Sequence, residues 1–491
     1  MGKLVLKTIG LILMIEAAFM LLPTFIAVGY GESDWKWFAP LVLAIAVVGF
    51  LLYLIKPQKR RMHAKEGFII VALAWIVMSM VGALPYVISG LLPNYINAVF
   101  EAVSGFTTSG VTIVADVEIA SHAVLFWRSL THWIGGMGVL VFMLALSPVS
   151  SGSSMHIMRA EAPGPTTEKL SPKISQTAKW LYIIYLALTL IEALALSIAK
   201  LGVFESFLIS FGTLATGGFS FLNSSLAAFT HAQQVIVIVF MVLAGVNFSL
   251  FFLLVTGKFR KALTDTELWC YLGTIVVVVI LLTLNVFLVR DQFDTFGEAL
   301  HQSFFAGVSA LTSTGFAAYN YNLFPWFSKG ILVLVMFIGG CAGSTAGGIK
   351  VSRFMIMIKE VRRYLKERIH PRQVNVVKYN KKEVEDEVVS GIRVYFGIFI
   401  LIFVISMFIV STEKNMDFTT SFCCVSTTLN NNGIEIKTVD FGGYFNFHWW
   451  SRIVFIFDML FGRLEIFPIV LFFTWLFTPV RDVYKKVRHK V

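Results

Sequence analysis

Thr107-Thr108-Ser109-Gly110, Ala215-Thr216-Gly217-Gly218, Thr312-Ser313-Thr314-Gly315 and Asn430-Asn431-Asn432-Gly433 each follow an apolar run and close on a glycine. The closing glycines lie 108, 97 and 118 residues apart, so the chain repeats itself with a nearly constant period. One Thr-Thr-Ser-Gly is a turn; four at near-equal spacing are an internal repeat. The apolar runs that precede them, 96–106, 204–214, 296–311 and 418–429, are too short to cross a bilayer core of about 30 Å at 1.5 Å per helical residue. A half-crossing helix followed by extended backbone is tolerated at membrane depth only where it is buried in protein or lines a water-filled cavity. The pattern therefore predicts four re-entrant helices whose loops surround one pore. Each helix points its C-terminal, negative dipole end at the centre, which favours a cation. Glycine permits the backbone conformations such loops need. The hydroxyls of Thr107, Thr108, Thr216, Thr312 and Thr314 add oxygens without charge, and carbonyls and hydroxyls together replace the water shell of a dehydrated cation. The loop at 430–432 is the outlier, with amides in place of hydroxyls.

Composition agrees with a membrane setting. Of 491 residues, 57% are hydrophobic and only 14% charged, which excludes an ordinary soluble domain. The first apolar stretch, 4–28, is long enough to span and has no small-residue cleavage site after it. Of the 40 Lys and Arg, 31 fall at the N-terminus and in 56–65, 159–179, 258–261, 350–393 and 481–490. Alternation between these basic places gives ten spans with both termini on the cytoplasmic side. The net charge of +11 is thus a topological signal with a contribution from anionic lipid, and nucleic acid is not a partner because no aromatic-interleaved basic patch exists. The four cysteines have no metal-ligand spacing and are expected to pack as small apolar residues.

The expected fold class is all-α: a polytopic membrane protein of ten transmembrane helices, with four pseudo-repeated helix–pore-loop–helix units around one pore plus two leading helices. Residues 1–66 hold the leading helices. The units occupy 67–178, 179–266, 267–388 and 389–491, the third carrying a cytoplasmic extension and the fourth a basic C-terminal tail. The charged stretch 359–387 is expected as a solvated helical extension and linker, or as a docking element for a cytosolic partner.

Two further motifs lie within apolar spans. Gly339-Gly340-Cys341-Ala342-Gly343-Ser344-Thr345-Ala346-Gly347-Gly348 contains five glycines, too many for a regular helix and more than close helix packing requires. Gly462-Arg463-Leu464-Glu465-Ile466-Phe467 places a cation inside a span, which makes Arg463 a functional candidate unless it pairs with Asp458 or Glu465. His122 and His132 flank a span and are expected to be structural; Glu16 and Glu192 lie in spans with no assigned role. No nucleophile–base pair, metal cluster or phosphate-binding loop is present, so the chain is not expected to be an enzyme. The 343–350 stretch lacks the register of a nucleotide-binding loop.

With these motifs the chain resembles the membrane subunit of Trk-type potassium uptake systems, of the Trk/Ktr/HKT superfamily, over nearly its whole length, the two leading spans included. The resemblance implies potassium uptake across a bacterial inner membrane, a homodimer with one pore per subunit, and a cytosolic nucleotide-binding regulatory subunit. K⁺ is then the transported and bound species, with no organic cofactor on this subunit. It makes Gly110, Gly218, Gly315 and Gly433 the filter glycines of the four loops. It makes Gly343, Ser344, Thr345, Ala346, Gly347 and Gly348 a gate below the filter, with Arg463 projecting into the pore. Trk members commonly carry Gly-Pro-Gly after the paired asparagines, whereas Gly433-Ile434-Glu435 stands here; Glu435 is a candidate extra cation site that alters Na⁺ discrimination. A Na⁺- or H⁺-coupled cation symporter, a Na⁺-permeable variant and a midplane-binding secondary transporter of a small solute are the alternatives.

Overall fold

The computed structural model describes residues 2–56, 64–138, 174–290, 293–373, 375–414, 416–434, 436 and 443–477. The end of the expected span at 124–146, most of the basic segment 159–179, Glu435 and the C-terminal tail lie outside them.

Two long helices lead, α1 (Gly2–Gly29) and α2 (Trp35–Tyr53). They cross where two glycines meet: a methyl built on Gly10 would lie 2.6 Å from the Gly49 carbonyl oxygen, the small-residue contact that lets membrane helices approach closely. The first unit holds α3 (Ala64–Gly82), α4 (Leu84–Ile88), the re-entrant α5 (Tyr95–Phe106) and α6 (His122–Gly136). The second holds α7 (Ile174–Ile198), re-entrant α8 (Val203–Leu214), α9 (His231–Ala244) and α10 (Phe248–Val255), with the short α11 (Phe259–Leu263) after it. The third holds α12 (Thr266–Arg290), re-entrant α13 (Phe296–Leu311), α14 (Trp326–Ile338) and α15 (Val351–Ile369). The fourth holds α16 (Asp386–Val410), re-entrant α17 (Phe418–Leu429), α18 (Trp449–Arg463) and α19 (Phe467–Phe477). The protein is an all-helical membrane protein. Outward faces are apolar, as on α16, where Ile400, Leu401, Val404, Ile405 and Phe408 are exposed; bilayer hydrocarbon is the solvent that tolerates such a face.

The re-entrant helices start where the sequence supplies a cap. Asn94, Thr295 and Asp417 accept amides of the first turns of α5, α13 and α17, satisfying donors that a helix start leaves open. Their C-terminal halves are wholly buried, for example Phe100–Phe106 in α5 and Cys423–Leu429 in α17.

Six described helices are long and apolar enough to cross a membrane, or seven if α9 and α10 form one span bent by 92°. The expected continuous second spans of the second and fourth units are in fact broken. The break lies at Gly245–Asn247 between α9 and α10, and at Leu464–Ile466 between α18 and α19, where Glu465 and Ile466 have φ of 53° and 69°. In the third unit the break at 339–350 falls where the glycines predict it.

The 359–387 stretch is only partly a solvated extension. After α15 the chain folds into a two-stranded antiparallel hairpin, β1 (Lys378–Tyr379) and β2 (Lys382–Glu383), with Lys378 opposite Glu383. Asn380 at its tip accepts from the Thr266 amide at 2.9 Å and donates to Asp265 at 2.7 Å, docking the hairpin on the start of α12.

Past the C-terminal end of α16, Glu413 ties that helix to the start of α18. It accepts from the His448 amide at 2.9 Å and the Ser451 hydroxyl at 2.6 Å, and pairs with the His448 ring. Burial alone would raise this carboxyl, but the bonds from Ser451 and His448 outweigh it and hold it below its ordinary value of 4.5. A carboxyl depressed on folding stabilises above its unfolded pKa and stops doing so as pH falls through the folded one. Glu413→Gln is therefore expected to lower stability by about 1 kcal/mol at pH 7 and to leave a smaller loss below pH 4.5. Thermal unfolding in detergent at the two pH values checks this.

Candidate ion filter and gate

All four re-entrant helices end in closely related turns. In α5 the Thr108 amide donates to the Gly105 carbonyl at 3.1 Å and the Ser109 amide to the Ser104 carbonyl at 2.9 Å, the paired bonds of a Schellman cap. α8 repeats them with Thr216 to Thr213 (3.0 Å) and Gly217 to Gly212 (2.8 Å), and α17 with Asn431 to Thr428 (3.3 Å) and Asn432 to Thr427 (2.9 Å). α13 shares the first bond, Ser313 to Ala310 at 3.3 Å, and then continues from Gly315 to Ser309 at 3.4 Å. The cap needs one left-handed residue, normally glycine. Here Thr108, Thr216, Ser313 and Asn431 occupy it, with φ of 57°, 55°, 58° and 50°. For a non-glycine residue that conformation costs about 1–2 kcal/mol. Three of the four side chains make a tertiary contact that glycine would forfeit. Thr108 accepts from Arg463 at 3.3 Å, Ser313 accepts from the Gly347 amide at 2.5 Å, and Asn431 donates to Ser109 and to the Met459 carbonyl, each at 2.8 Å. The Thr216 hydroxyl instead turns back to the Ala215 carbonyl at 2.6 Å.

The closing glycines meet in cyclic order. A Cβ built on Gly110 would overlap the Gly217 carbonyl oxygen, one on Gly218 the Thr314 carbonyl oxygen, and one on Gly315 the backbone of Gly433. One on Gly433 would lie 3.3 Å from both the Gly110 Cα and the Ser109 carbonyl oxygen. Each loop thus abuts the next, and the fourth returns to the first. Gly110, Gly218, Gly315 and Gly433 all line one cavity of about 550 Å³, together with Thr112, Ser220, Asn223 and Tyr319.

Side-chain oxygens of the loops are largely tied into the protein. Thr107 and Thr312 donate to the carbonyls of Val103 and Val308 at 2.6 and 2.8 Å, and pair with the hydroxyls of Ser109 and Thr314. The three asparagine amides bond inward: Asn430 to Ser426 and Asn432 to Ala310, each at 2.8 Å, and Asn431 as above. The fourth loop is thereby anchored to the first and third by amides.

The glycine-rich segment packs directly against these turns. Besides the Gly347–Ser313 bond, the Gly348 amide donates to the Asn430 carbonyl at 3.0 Å. Cys341 and Phe248 exchange backbone bonds with Gly245 and Gly343 at 2.9 and 3.0 Å, and Thr345 donates to the Ala244 carbonyl at 3.2 Å. Gly339, Gly343 and Gly348 have φ of 72°, 72° and 75°, which is why a helix cannot continue through them. Arg463, the last residue of α18, donates to the Thr345 carbonyl at 2.9 Å and to the Gly135 and Gly136 carbonyls at 2.5 and 2.6 Å. A guanidinium so placed adds donors to the carbonyls at the end of α6, of which Gly135 also accepts the Gly138 amide at 3.1 Å, while bridging the first loop and the glycine-rich segment. Glu465 binds Arg353, and Asp458 accepts from Ser406 at 2.7 Å.

Several residues in this region escaped the sequence reading. Glu267 on α12 accepts from the Ala342 amide (2.7 Å), the Ser352 amide (3.1 Å) and the Tyr379 hydroxyl (2.7 Å). It joins the glycine-rich segment to the docked hairpin. Glu101 and Arg128 form a buried ion pair at 2.6 Å behind the first loop. His132 stands behind the second loop, accepting from the Phe219 amide at 3.2 Å. Intramembrane charge was a signal for Glu101 and Arg128; nothing local marks Tyr379.

The TrkH cation transport protein model matches residues 35–478. The chain is 34% identical over 478 residues to the Trk system potassium uptake protein TrkH of Salmonella typhimurium, covering 96% of this chain and 98% of that one. It is 31% identical over 481 residues to TrkG of Escherichia coli, covering 97% and 98%. The crystal structure of the potassium transporter TrkH from Vibrio parahaemolyticus superposes with a TM-score of 0.87 at 30% identity, covering 98% of this chain and 99% of that one. The chain belongs to the TrkH family of cation transport proteins.

Proposed function

We propose that this protein takes up K⁺ across the bacterial inner membrane through a filter formed by residues 107–110, 215–218, 312–315 and 430–433. The observation that carries the reading is the closed ring of four glycine turns around one cavity, with the negative ends of four buried helices aimed at it. Relatives named as potassium uptake proteins over nearly the full chain support the choice of ion. Residues 343–348 and Arg463 form the gate beneath the filter, the units divide at 66, 178, 266 and 388, and both termini face the cytoplasm. The protein works as a homodimer with a cytosolic nucleotide-binding subunit, for which the docked hairpin and the basic face of α15 are the available surface.

Uptake of radiolabelled Rb⁺ into proteoliposomes, with K⁺, Na⁺ and H⁺ gradients varied separately, tests this. Uptake suppressed by excess K⁺ supports the filter; a requirement for a Na⁺ or H⁺ gradient identifies symport. Rb⁺ uptake absent even after the gate is weakened by substitution refutes the filter reading.

The Glu267 contacts yield a gate prediction. Tyr379→Phe removes the hairpin's hold on a carboxyl group that fixes one amide inside the glycine-rich segment and one in the first turn of α15. A lost hydrogen bond to a charged group is worth about 1.5–3 kcal/mol, so resting Rb⁺ uptake is expected to rise by roughly tenfold or more. Unchanged uptake in the folded variant excludes the coupling.

A further inference from the structure

The segments just beyond the four filter glycines are held in two different ways. Beyond Gly315, the Phe316 carbonyl accepts from the Ser309 hydroxyl at 2.7 Å; beyond Gly433, the Ile434 amide donates to Asn432 at 3.0 Å. These bonds are neutral, as are the two that join Ala317 to Ser225 at 3.1 Å and to Leu226 at 2.9 Å. Beyond Gly110 and Gly218 the support is ionic and shared. Glu101, fully buried in α5, accepts from the Thr112 hydroxyl at 3.0 Å, the Ile113 amide at 2.9 Å and the Arg128 Nε at 2.6 Å. Arg128 in turn donates to the Ser220 carbonyl at 2.8 Å and lies over the Phe219 ring at 3.5 Å.

His132, one turn along α6, completes the cluster. Its Nδ1 lies 2.7 Å from the Gly105 carbonyl and so carries the proton; Nε2 is left bare to accept the Phe219 amide. Its ring stacks on Phe219 at 4.0 Å, and a Cβ on Gly217 would run into it at 2.5 Å. Two side chains of one helix therefore hold Phe219 and Ser220, which follow Gly218, and the same cluster holds Thr112 and Ile113, the second and third residues after Gly110. A buried ion pair is a weak source of stability and a strong determinant of geometry once formed.

Resting on the filter reading above, we propose that Glu101, Arg128 and His132 are positioning residues that set the spacing of the first two filter loops, and with it the preference for K⁺ over Na⁺. Arg128 also lines the cavity above the filter, so a simple charge effect must be separated from positioning. Glu101→Gln leaves a bare cation there and Arg128→Gln a bare carboxylate. Positioning requires both to lower the ratio of K⁺ to Na⁺ block of Rb⁺ uptake by roughly tenfold. Arg128→Lys, which keeps the charge but cannot span Glu101 and Ser220 with one planar group, is expected to lower it too. Phe219→Leu leaves every polar partner in place and removes the ring on which Arg128 and His132 pack; it gives the same readout if the buried-charge variants fail to fold. Glu16→Gln, a buried carboxyl outside the cluster, keeps the wild-type ratio. Opposite changes in flux for Glu101→Gln and Arg128→Gln at an unchanged ratio overturn the inference, as does a wild-type ratio in Phe219→Leu. A wild-type protein without K⁺ preference overturns the filter reading itself.

Discussion

Gly110→Ser abolishes most of the K⁺ preference: the concentration of Na⁺ needed to block Rb⁺ uptake is expected to fall by about tenfold or more relative to that of K⁺. Gly110 sits at φ 75°, where a side chain is strained, and its Cβ position is already taken by the Gly217 carbonyl oxygen of the adjacent loop. Accommodating serine means moving one loop against the other, at a cost of about 1–3 kcal/mol for overpacking on top of about 1–2 kcal/mol for the left-handed backbone. Dehydration of K⁺ is compensated only if oxygens from all four loops meet the ion together, so displacing one loop harms discrimination more than it harms folding. The equivalent change at Gly315, whose Cβ would enter the Gly433 backbone, should act in the same direction. Wild-type selectivity in a folded Gly110→Ser protein would remove this loop from the filter.

Arg463→Ala is expected to raise resting Rb⁺ uptake by about tenfold. The guanidinium joins the first glycine loop, the end of α6 and the glycine-rich segment through Thr108, Gly135, Gly136 and Thr345. Its removal releases the segment from two neighbours and withdraws a positive charge from beneath a cation filter, where one charge about 6 Å from another is worth about 3 kcal/mol at an effective dielectric of 20. The same substitution leaves buried carbonyls unsatisfied, lowering stability by about 1–3 kcal/mol. Flux and thermal unfolding must therefore be measured together. Higher flux with modestly lower stability supports the gate; unchanged flux with lower stability leaves Arg463 as a cap on α6. Arg463→Lys retains the charge but cannot make the same set of bonds, and is expected to fall between.

Much of this architecture was legible in the chain. Period and loop chemistry are local properties, so the re-entrant helices end within a residue or two of their expected ends, and their caps at Asn94, Thr295 and Asp417 are ordinary helix starts. Five glycines in ten residues mark the break at 339–348 for the same reason. The breaks at Gly245–Asn247 and Leu464–Ile466 were not legible, because one glycine in an apolar span is equally compatible with a continuous helix.

What the sequence by itself determined is therefore what each segment is: apolar span, half-crossing helix, glycine turn, basic flank. Only the tertiary structure decided what each segment touches. The cyclic contact of Gly110, Gly218, Gly315 and Gly433 joins residues as far apart as 323 positions. Glu101 finds Arg128, Glu267 finds Tyr379, and Arg463 finds Gly135 across gaps of 27, 112 and 328 positions. Propensity and hydropathy act over a few neighbouring residues, whereas the partner of a buried charge or carbonyl is set by how helices from different units pack. That packing is where buried polar groups must be satisfied, and it is recorded in no single stretch of the chain.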